Sequence, residues 1–569
     1  MPARPHRAWL RLAPWIPLLA MALCLPALAG GIELDDLFHA QHAARADFTR
    51  SAFTFFGQGP RAPHVPASDL PWWTEPGLRL DLFRPVAALT HRLDYALWPE
   101  QPWLMHLHSV LWYGVLVGLL LRLYRALSDD PARAALAALI FGLSQAHAMN
   151  VGWLSARNAT IAATFVVATL LLHHRWRSRG WTPGAVLAPV ALGLALLANE
   201  GAIAAGGYLL AYALVRDRGR VHLRVATLLP YLGVAIAWRV AYAAWEHGAS
   251  GGGIYLDPMS DPLRYVGRTL VQAVPMLASR LGLGVLDPFG SIPGAAIPLL
   301  FIALPFVLGV AWVVRERLRE DPCSRMWAVG LLLCLGTAGT SVPTDRGAML
   351  LSLGGCALLA DFILWLRRED APALHRRLAA LFIGLHLVLS PLLLPVRVLT
   401  TAWVHGMAES ITEALPDEPG VEDETVVLVN APSDLVMLYS RAIRAEQQQA
   451  FPRRLQWLYA GPGTLTLTRV GPRSIELRSD QPWLAAPLDR MFRDAVQFRP
   501  GQRIERECIV AQVLEVDAGS LATAVRFQIA DDGDCRPRFM QWDGATKKHV
   551  PLTLPAEGET ITLDAARIP

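Results

Sequence analysis

The sequence predicts a polytopic α-helical membrane protein of about eleven transmembrane helices, followed by a C-terminal β-rich soluble domain. Three observations carry that expectation. Of 569 residues, 53% are hydrophobic and only 18% are charged, where a soluble protein carries about 25% charged residues. Apolar stretches of about 17–25 residues recur, the length at which a helix crosses a bilayer with its backbone polar groups satisfied internally. Beyond residue 404 those stretches stop and short alternating segments begin. Such a composition excludes a large soluble enzyme, a disordered chain and a disulfide-stapled mini-protein. The net charge of +4 is spread over loops, so no nucleic-acid partner is expected.

The spans fall near 11–30, 103–121, 134–149, 158–174, 182–198, 200–215, 225–244, 294–314, 326–342, 346–366 and 378–399. Arginine sets their direction, because cytoplasmic loops retain positive charge. The clusters are Arg4, Arg7 and Arg11; Arg122, Arg125 and Arg133; and Arg175, Arg177 and Arg179. Arg216, Arg218, Arg220 and Arg224 follow, then Arg315, Arg317, Arg319 and Arg325, and last Arg367, Arg368, Arg376 and Arg377. All fall on one side of an eleven-span chain, which puts the N-terminus in the cytoplasm and the C-terminus outside. Segment 262–290 contains Arg264, Arg268, Arg280 and Asp287. A further span there would reverse the later clusters, so the segment is read as interfacial or re-entrant on the outer face. Residues 11–30 also fit a cleavable signal peptide, with Arg7 and Arg11 before the apolar core and Ala27-Leu28-Ala29 after it. Residue 31 begins outside on either reading.

This divides the chain into a membrane domain, 1–404, with a long first outer loop at 31–102, and a soluble domain, 405–569. In the latter, Thr425–Val429, Thr464–Val470, Ser474–Leu477, Ile509–Val516, Thr523–Ile529 and Thr560–Leu563 read as strands, and 433–446 as a helix. Cys24, Cys323, Cys334 and Cys356 sit in or beside spans as small core residues. Cys508 and Cys535 are the two cysteines of the outer domain, either paired in an oxidising compartment or buried as thiols.

The first outer loop carries the candidate chemistry. It opens with Glu33-Leu34-Asp35-Asp36 at the end of the first span, and it is too rich in aromatic and apolar residues for disorder. Paired acids at a membrane face often only mark the water boundary. Here a long structured loop is available to fold over them, and a carboxylate so placed can take a proton from an acceptor hydroxyl. Neighbouring carboxylates also raise one another's pKa, which suits a base working near neutrality. Arginines placed away from the cytoplasmic clusters, namely Arg84, Arg157 and Arg346, are candidate phosphate clamps. The alternative is structural pairing, of Arg157 with Glu200 or Asp94 and of Arg346 with Asp345. His39, four residues after Asp35, could join His106, His108 or His147 around a divalent ion. Scattered histidines are more often hydrogen-bonded structural groups, so neither a metal nor another cofactor is assigned. Glu200 is placed to orient His147 or a substrate hydroxyl. Trp72, Trp73 and Trp153 read as membrane-interface residues, and Gly251-Gly252-Gly253 as a flexible loop rather than a phosphate loop.

Several of these residues form an ordered series. Asp35-Asp36 follow the first span. Phe83-Arg84-Pro85-Val86, Leu93-Asp94-Tyr95 and Met105-His106-Leu107-His108 precede or open the second. His147, Val151, Trp153, Arg157 and Asn158 lie in one segment, and Asn199-Glu200 end another. The series resembles the GT-C class of integral-membrane glycosyltransferases, most closely the branch of protein O-mannosyltransferases and their tetratricopeptide-bearing relatives. The resemblance covers roughly residues 10–245. Asn199 stands where those relatives have lysine, and there are no tetratricopeptide repeats.

The resemblance implies transfer of a sugar, with inversion, from a polyprenyl-phosphate carrier to an acceptor hydroxyl on a glycan, lipid or protein. Asp36 is then the first choice for the base and Asp35 the second. Arg84, Asp94, His108, His147, Arg157, Glu200 and Arg346 are the substrate-binding candidates, and membrane lipid is the surrounding partner. An Arg-rich chain whose only lysines are Lys547 and Lys548 suits a bacterial inner membrane, with the soluble domain periplasmic. A non-catalytic scaffold or a transport component of an envelope assembly is the rival reading. Against a transporter, no matching pair of broken spans is found in two halves.

Overall fold

The computed structural model describes residues 13–57, 63–282, 286–287, 296–485, 488–494, 498–530 and 535–566. Arg4, Arg7 and Arg11 of the first arginine cluster lie outside them. Over the described residues, every one of the apolar stretches is helical. The first forms α1 (Ala13–Ala29). The outer loop then forms α2 (Asp35–His42) and α3 (Pro85–Leu97). Next come α4 (Pro102–Leu127), a bent pair α5 (Pro131–Gly142) and α6 (Gln145–Gly152), α7 (Leu154–Arg179) and α8 (Gly184–Leu196). After a 3-10 turn at Glu200–Ala204 and a short α9 (Ala205–Ala211) follow α10 (Val221–Ala244), α11 (Pro262–Leu281) and α12 (Ile297–Glu320). The last are α13 (Pro322–Cys334), α14 (Arg346–Leu366) and α15 (Ala373–Glu413).

Six of these, α4, α7, α10, α12, α14 and α15, are long and apolar enough to cross a membrane, or seven if the pair bent by 48° counts as one span. They make the chain a multi-pass membrane protein. The count of eleven is not reached on this measure, because α1 and α8 are short and the 200–215 and 326–342 stretches break into turns. α11 does not pass the same test.

The local reasons are visible in the sequence. α3, α4, α5, α11 and α13 each begin on proline, whose fixed φ and missing N–H cost nothing in the first turn. Asp130, Asp261 and Asp321 cap the last three. At the break between α5 and α6, Ser390 donates to Leu143 O (3.1 Å) and accepts from Gln145 N (2.8 Å). It thereby satisfies backbone groups that the bend frees. The arginine-rich helix ends meet at one end of the bundle. Arg133 pairs with Asp321 (2.8 Å) and Asp361 (2.9 Å), Arg317 with Asp361 (2.8 Å), and Arg216 donates to Leu127 O (2.9 Å).

At the other end, β1 (Thr54–Phe56) and β2 (Arg79–Asp81) of the outer loop join β3 (Gly248–Ser250), which follows α10, in a three-stranded antiparallel sheet. The adjoining Gly251-Gly252-Gly253 is packed rather than flexible. A Cβ on Gly251 (φ +78°) would meet the Leu78 backbone at 2.9 Å, and one on Gly252 the Met491 carbonyl at 2.5 Å. Glycine is needed there for close approach.

The expected C-terminal strands form, as β4 (Thr425–Leu428), β6 (Leu465–Gly471), β7 (Ser474–Ser479), β9 (Ile509–Val516), β10 (Ala522–Ile529) and β13 (Thr560–Leu563). Four more appear: β5 (Arg454–Trp457), β8 (Arg503–Glu505), β11 (Pro537–Asp543) and β12 (Lys548–Pro551). Order β13-β6-β7-β10-β9-β8 makes an antiparallel sheet. A second sheet has order β12-β11-β4-β5, with β4 parallel to both neighbours. Between β4 and β5 runs α16 (Asp434–Glu446). Cys508 and Cys535 are joined, with Cα atoms 5.6 Å apart. Trp72 and Trp73, expected at a membrane interface, are instead buried against this strand-rich region. The Trp72 indole donates to Leu458 O (2.9 Å) and packs edge-on to Trp483 and Phe527.

Candidate active site

The acid pair heads α2. Leu34, just before it, has φ 52°, a left-handed conformation that strains a non-glycine residue. The turn brings Asp36 N onto Glu33 O (3.0 Å), and Glu33 O also accepts from the Trp153 indole (3.3 Å). Asp36 is 0% exposed. Its Oδ1 accepts from Ser155 N (2.7 Å) and from the Ser155 hydroxyl, while its Oδ2 accepts from Glu33 N (3.4 Å). Tyr95 Oη donates to the Asp36 carbonyl at 3.1 Å.

Asp35 is partly exposed, and its Oδ1 accepts from Tyr439 Oη at 2.7 Å. Burial pushes the Asp36 carboxyl well up; the Ser155 hydrogen bonds oppose this, and the Glu33 and Asp35 charges add to it. Asp35 is also raised by burial, against the pull of Tyr439 and then of Arg346 and Arg84. Burial, more than the neighbouring carboxylate, is therefore what lifts the pair. Glu33 is pushed up to about 7 by burial. His39, one turn on, lies 3.2 Å from Ser155 Oγ by its Nδ1, and burial pushes its ring down to about 3.

Two cations flank the acids. Arg84 holds Glu200 through both guanidinium edges, Nε to Oε2 at 2.9 Å and Nη2 to Oε1, over the face of Phe53. The partner of Glu200 is thus Arg84 and not His147. The Arg346 guanidinium lies 5.0 Å over the Trp153 ring and acts on Asp35 through space. Asp345 does not neutralise it, being taken by Arg280 and Arg397. Among the described residues no carboxylate lies within ion-pair distance of Arg346.

A third group is self-satisfied. Asp94 takes Arg157 on Oδ2 and His108 Nδ1 on Oδ1 (2.7 Å). Arg157, 0% exposed, also donates through Nε to Ser109 Oγ (2.8 Å) and through Nη2 to Met105 O (2.8 Å). His108 Nε2 accepts from the Trp112 indole at 3.1 Å. All three Arg157 nitrogens are thus engaged by protein, and the group ties α3 to α4 and α7. Asn199, in the lysine position of the resembled family, joins Asn158 (2.6 Å) and caps the turn at Gly201 N (2.8 Å). His147 lies apart in the bundle core, its Nδ1 against Tyr113 Oη (3.0 Å) and Phe141 O (3.2 Å). Among the described residues no cluster of three or more His, Cys, Asp or Glu is arranged to hold a metal.

Sequence reasoning passed over Ser155 and Tyr439, each an ordinary residue until its partner is known, and it named Tyr95 only as part of the Leu93-Asp94-Tyr95 motif. Ser155 stands between Trp153 and Arg157 in the quoted segment, the one signal that pointed near it.

No protein-family model and no curated protein matches this chain. Similar solved structures include the Archaeoglobus fulgidus oligosaccharyltransferase tethered to an acceptor peptide, at 13% identity and a TM-score of 0.41. They also include ArnT from Cupriavidus metallidurans, bound to undecaprenyl phosphate and in the apo state, at 15% identity and a TM-score of 0.35. Each match covers 78% of this chain; it spans 63% of the oligosaccharyltransferase and 89% of ArnT. At this degree of similarity the functional reading rests on the site itself.

Proposed function

We propose that this protein is a glycosyltransferase that moves a sugar from a polyprenyl-phosphate carrier to an acceptor hydroxyl, with inversion, on the periplasmic face of a bacterial inner membrane. One observation carries the reading: a partly exposed carboxylate, Asp35, has one oxygen held by Tyr439 and lies within the electrostatic reach of an arginine, Arg346, that has no carboxylate within ion-pair distance among the described residues. A base beside an unpaired cation is what the reaction needs. Asp35 takes the acceptor hydroxyl proton, the acceptor oxygen forms the new bond to the anomeric carbon, and the bond from that carbon to the phosphate oxygen breaks. The departing polyprenyl phosphate keeps the electron pair, and Arg346 offers it a charge-assisted hydrogen-bonding fork.

On this reading the two acids divide the work. Asp36, enclosed by Ser155 and the Glu33 amide, anchors the head of α2, and Asp35 meets the substrate. Arg84 with Glu200 borders the donor side, and the Asp94–Arg157–His108 group holds the surrounding helices. The chain crosses the membrane eleven times, with the arginine-rich ends cytoplasmic and the domain 405–569 periplasmic. A joined Cys508–Cys535 pair supports an oxidising compartment for that domain.

The test is transfer of labelled sugar from polyprenyl-phosphate donors in right-side-out and inverted vesicles, comparing wild type with Asp35→Asn and Asp36→Asn at matched protein levels. Loss in Asp35→Asn supports the base assignment. Equal transfer in all three would remove the acids from the mechanism, and no transfer in any would favour a scaffold.

A further inference from the structure

Among the described residues, the strand-rich region hydrogen-bonds the acid pair through Tyr439 alone. Tyr439, midway along α16, is buried against Phe38 of α2 with ring centroids 5.6 Å apart, and its hydroxyl donates to Asp35 Oδ1 at 2.7 Å. The approach is fixed on both sides. Gln41 Nε2 of α2 donates to Ala442 O (3.2 Å), and Arg441 grips Asp69 of the outer loop through two nitrogens. Behind it, Arg444 donates to Thr412 O (2.9 Å) and Leu415 O (2.7 Å) at the end of α15, and the Trp457 indole donates to Asp434 (2.7 Å).

We infer that the strand-rich region completes the site, and that Tyr439 is a positioning residue holding Asp35 in the orientation from which it serves the acceptor. This rests on the transfer reading above. Tyr439 is the one hydrogen-bond donor to the Asp35 side chain among the described residues. Without it, the carboxylate is free to swing onto Arg346 or Arg84 and neutralise the cation meant for the phosphate. With it, one oxygen is tethered and the other is left for the acceptor proton. The charged and titratable groups around Asp35 are Glu33, Asp36 and His39 on its own segment, Tyr95 and Arg84 from the α3 side and Arg346 at the start of α14. His405 of α15 accepts from Leu34 N at 3.4 Å.

Tyr439→Phe in the full chain keeps the ring on Phe38 and deletes the donor. The expected result is a kcat about 10–100-fold lower with an unchanged KM for donor, and an acid limb of kcat/KM shifted up by about one pH unit. Those sizes follow from losing one hydrogen bond to a carboxylate. In an Asp35→Asn background the same change should alter the residual rate by less than about twofold, because the acceptor of the hydrogen bond has lost its charge. A wild-type rate and pH limb in Tyr439→Phe would overturn the inference while leaving the transfer reading intact. Absence of transfer by wild type overturns both. If the phenylalanine variant fails to accumulate, replacing Tyr439 by ring-difluorinated tyrosine preserves shape and strengthens the donor. The acid limb must then move down, and an unmoved limb counts against the positioning role.

Discussion

Removing Asp94 is the sharpest test of how the site is braced. Its side chain is 2% exposed and takes the 0% exposed Arg157 on one oxygen and His108 on the other. Asp94→Ala strands a guanidinium that keeps its Ser109 and Met105 partners but loses its counter-charge. Breaking a buried pair from one side costs about 3–5 kcal/mol. Asp94→Asn keeps an acceptor and forfeits only the charge, so about 2 kcal/mol is expected, within the range for hydrogen bonds to charged groups. Asp94→Leu with Arg157→Leu removes both charges, and such replacements are often close to neutral. The double variant should therefore recover most of the single loss. The assay is tryptophan-monitored thermal unfolding in detergent at matched concentration. The reasoning is refuted if Asp94→Ala costs under about 1 kcal/mol, or if the double variant is no more stable than Asp94→Ala.

Other expectations follow from the same geometry. Arg346→Ala should raise the KM for a polyprenyl-phosphate donor by about 10–100-fold, with Arg346→Lys in between, as the loss of a charge-assisted fork predicts; donor titrations decide it. His39 titrates at about 6.5 when unfolded and is pushed down to about 3 by burial, so the unfolded chain binds the extra proton between those values. Its contribution is therefore intact above pH 6.5 and lost as pH falls, by about 2 kcal/mol at pH 5. Unfolding midpoints of wild type and His39→Gln should converge or cross on acidification, and a pH-independent gap would contradict the burial assignment. Replacing Cys508 and Cys535 together by serine should cost the strand-rich region about 3 kcal/mol, from the unfolded-state freedom that a crosslink spanning 27 residues removes. Limited proteolysis of that region gives the readout.

Much of the membrane region was legible because bilayer crossing demands long apolar runs, and Asp35, Asp36, Arg84 and Arg346 stood out as charges set apart from the arginine clusters. Their partners were not legible. Tyr439 meets Asp35 across 404 positions and Ser155 meets Asp36 across 119, and no local pattern marks a tyrosine or a serine for such a contact. Arg157 showed the charge but not whether it faces a phosphate or Asp94. The missed strands have a similar origin. β5 is only four residues long, and β11 opens on proline and ends on aspartate, so neither announces itself by alternation. β4 is buried at all four positions, so its sheet is covered on both faces there and the strand shows no alternation. Trp72 and Trp73 suit an interface by composition, and only the tertiary fold shows them inside a protein core.

The parallel placement of β4 has a consequence for how the protein is made. β4 is flanked by β5 on one side and β11 on the other, and Asn430, just past its end, donates to Asp564 O at 3.1 Å. The sheet that holds β4 and β5, the strands before and after α16, is thus closed by a strand that begins only at Pro537. Pairings so distant along a chain are slow to form, so β4 waits longer for β11 than for β5. Chains stalled or clipped before residue 537 would lack β11, leaving β4 with one of its two neighbours and an open sheet edge.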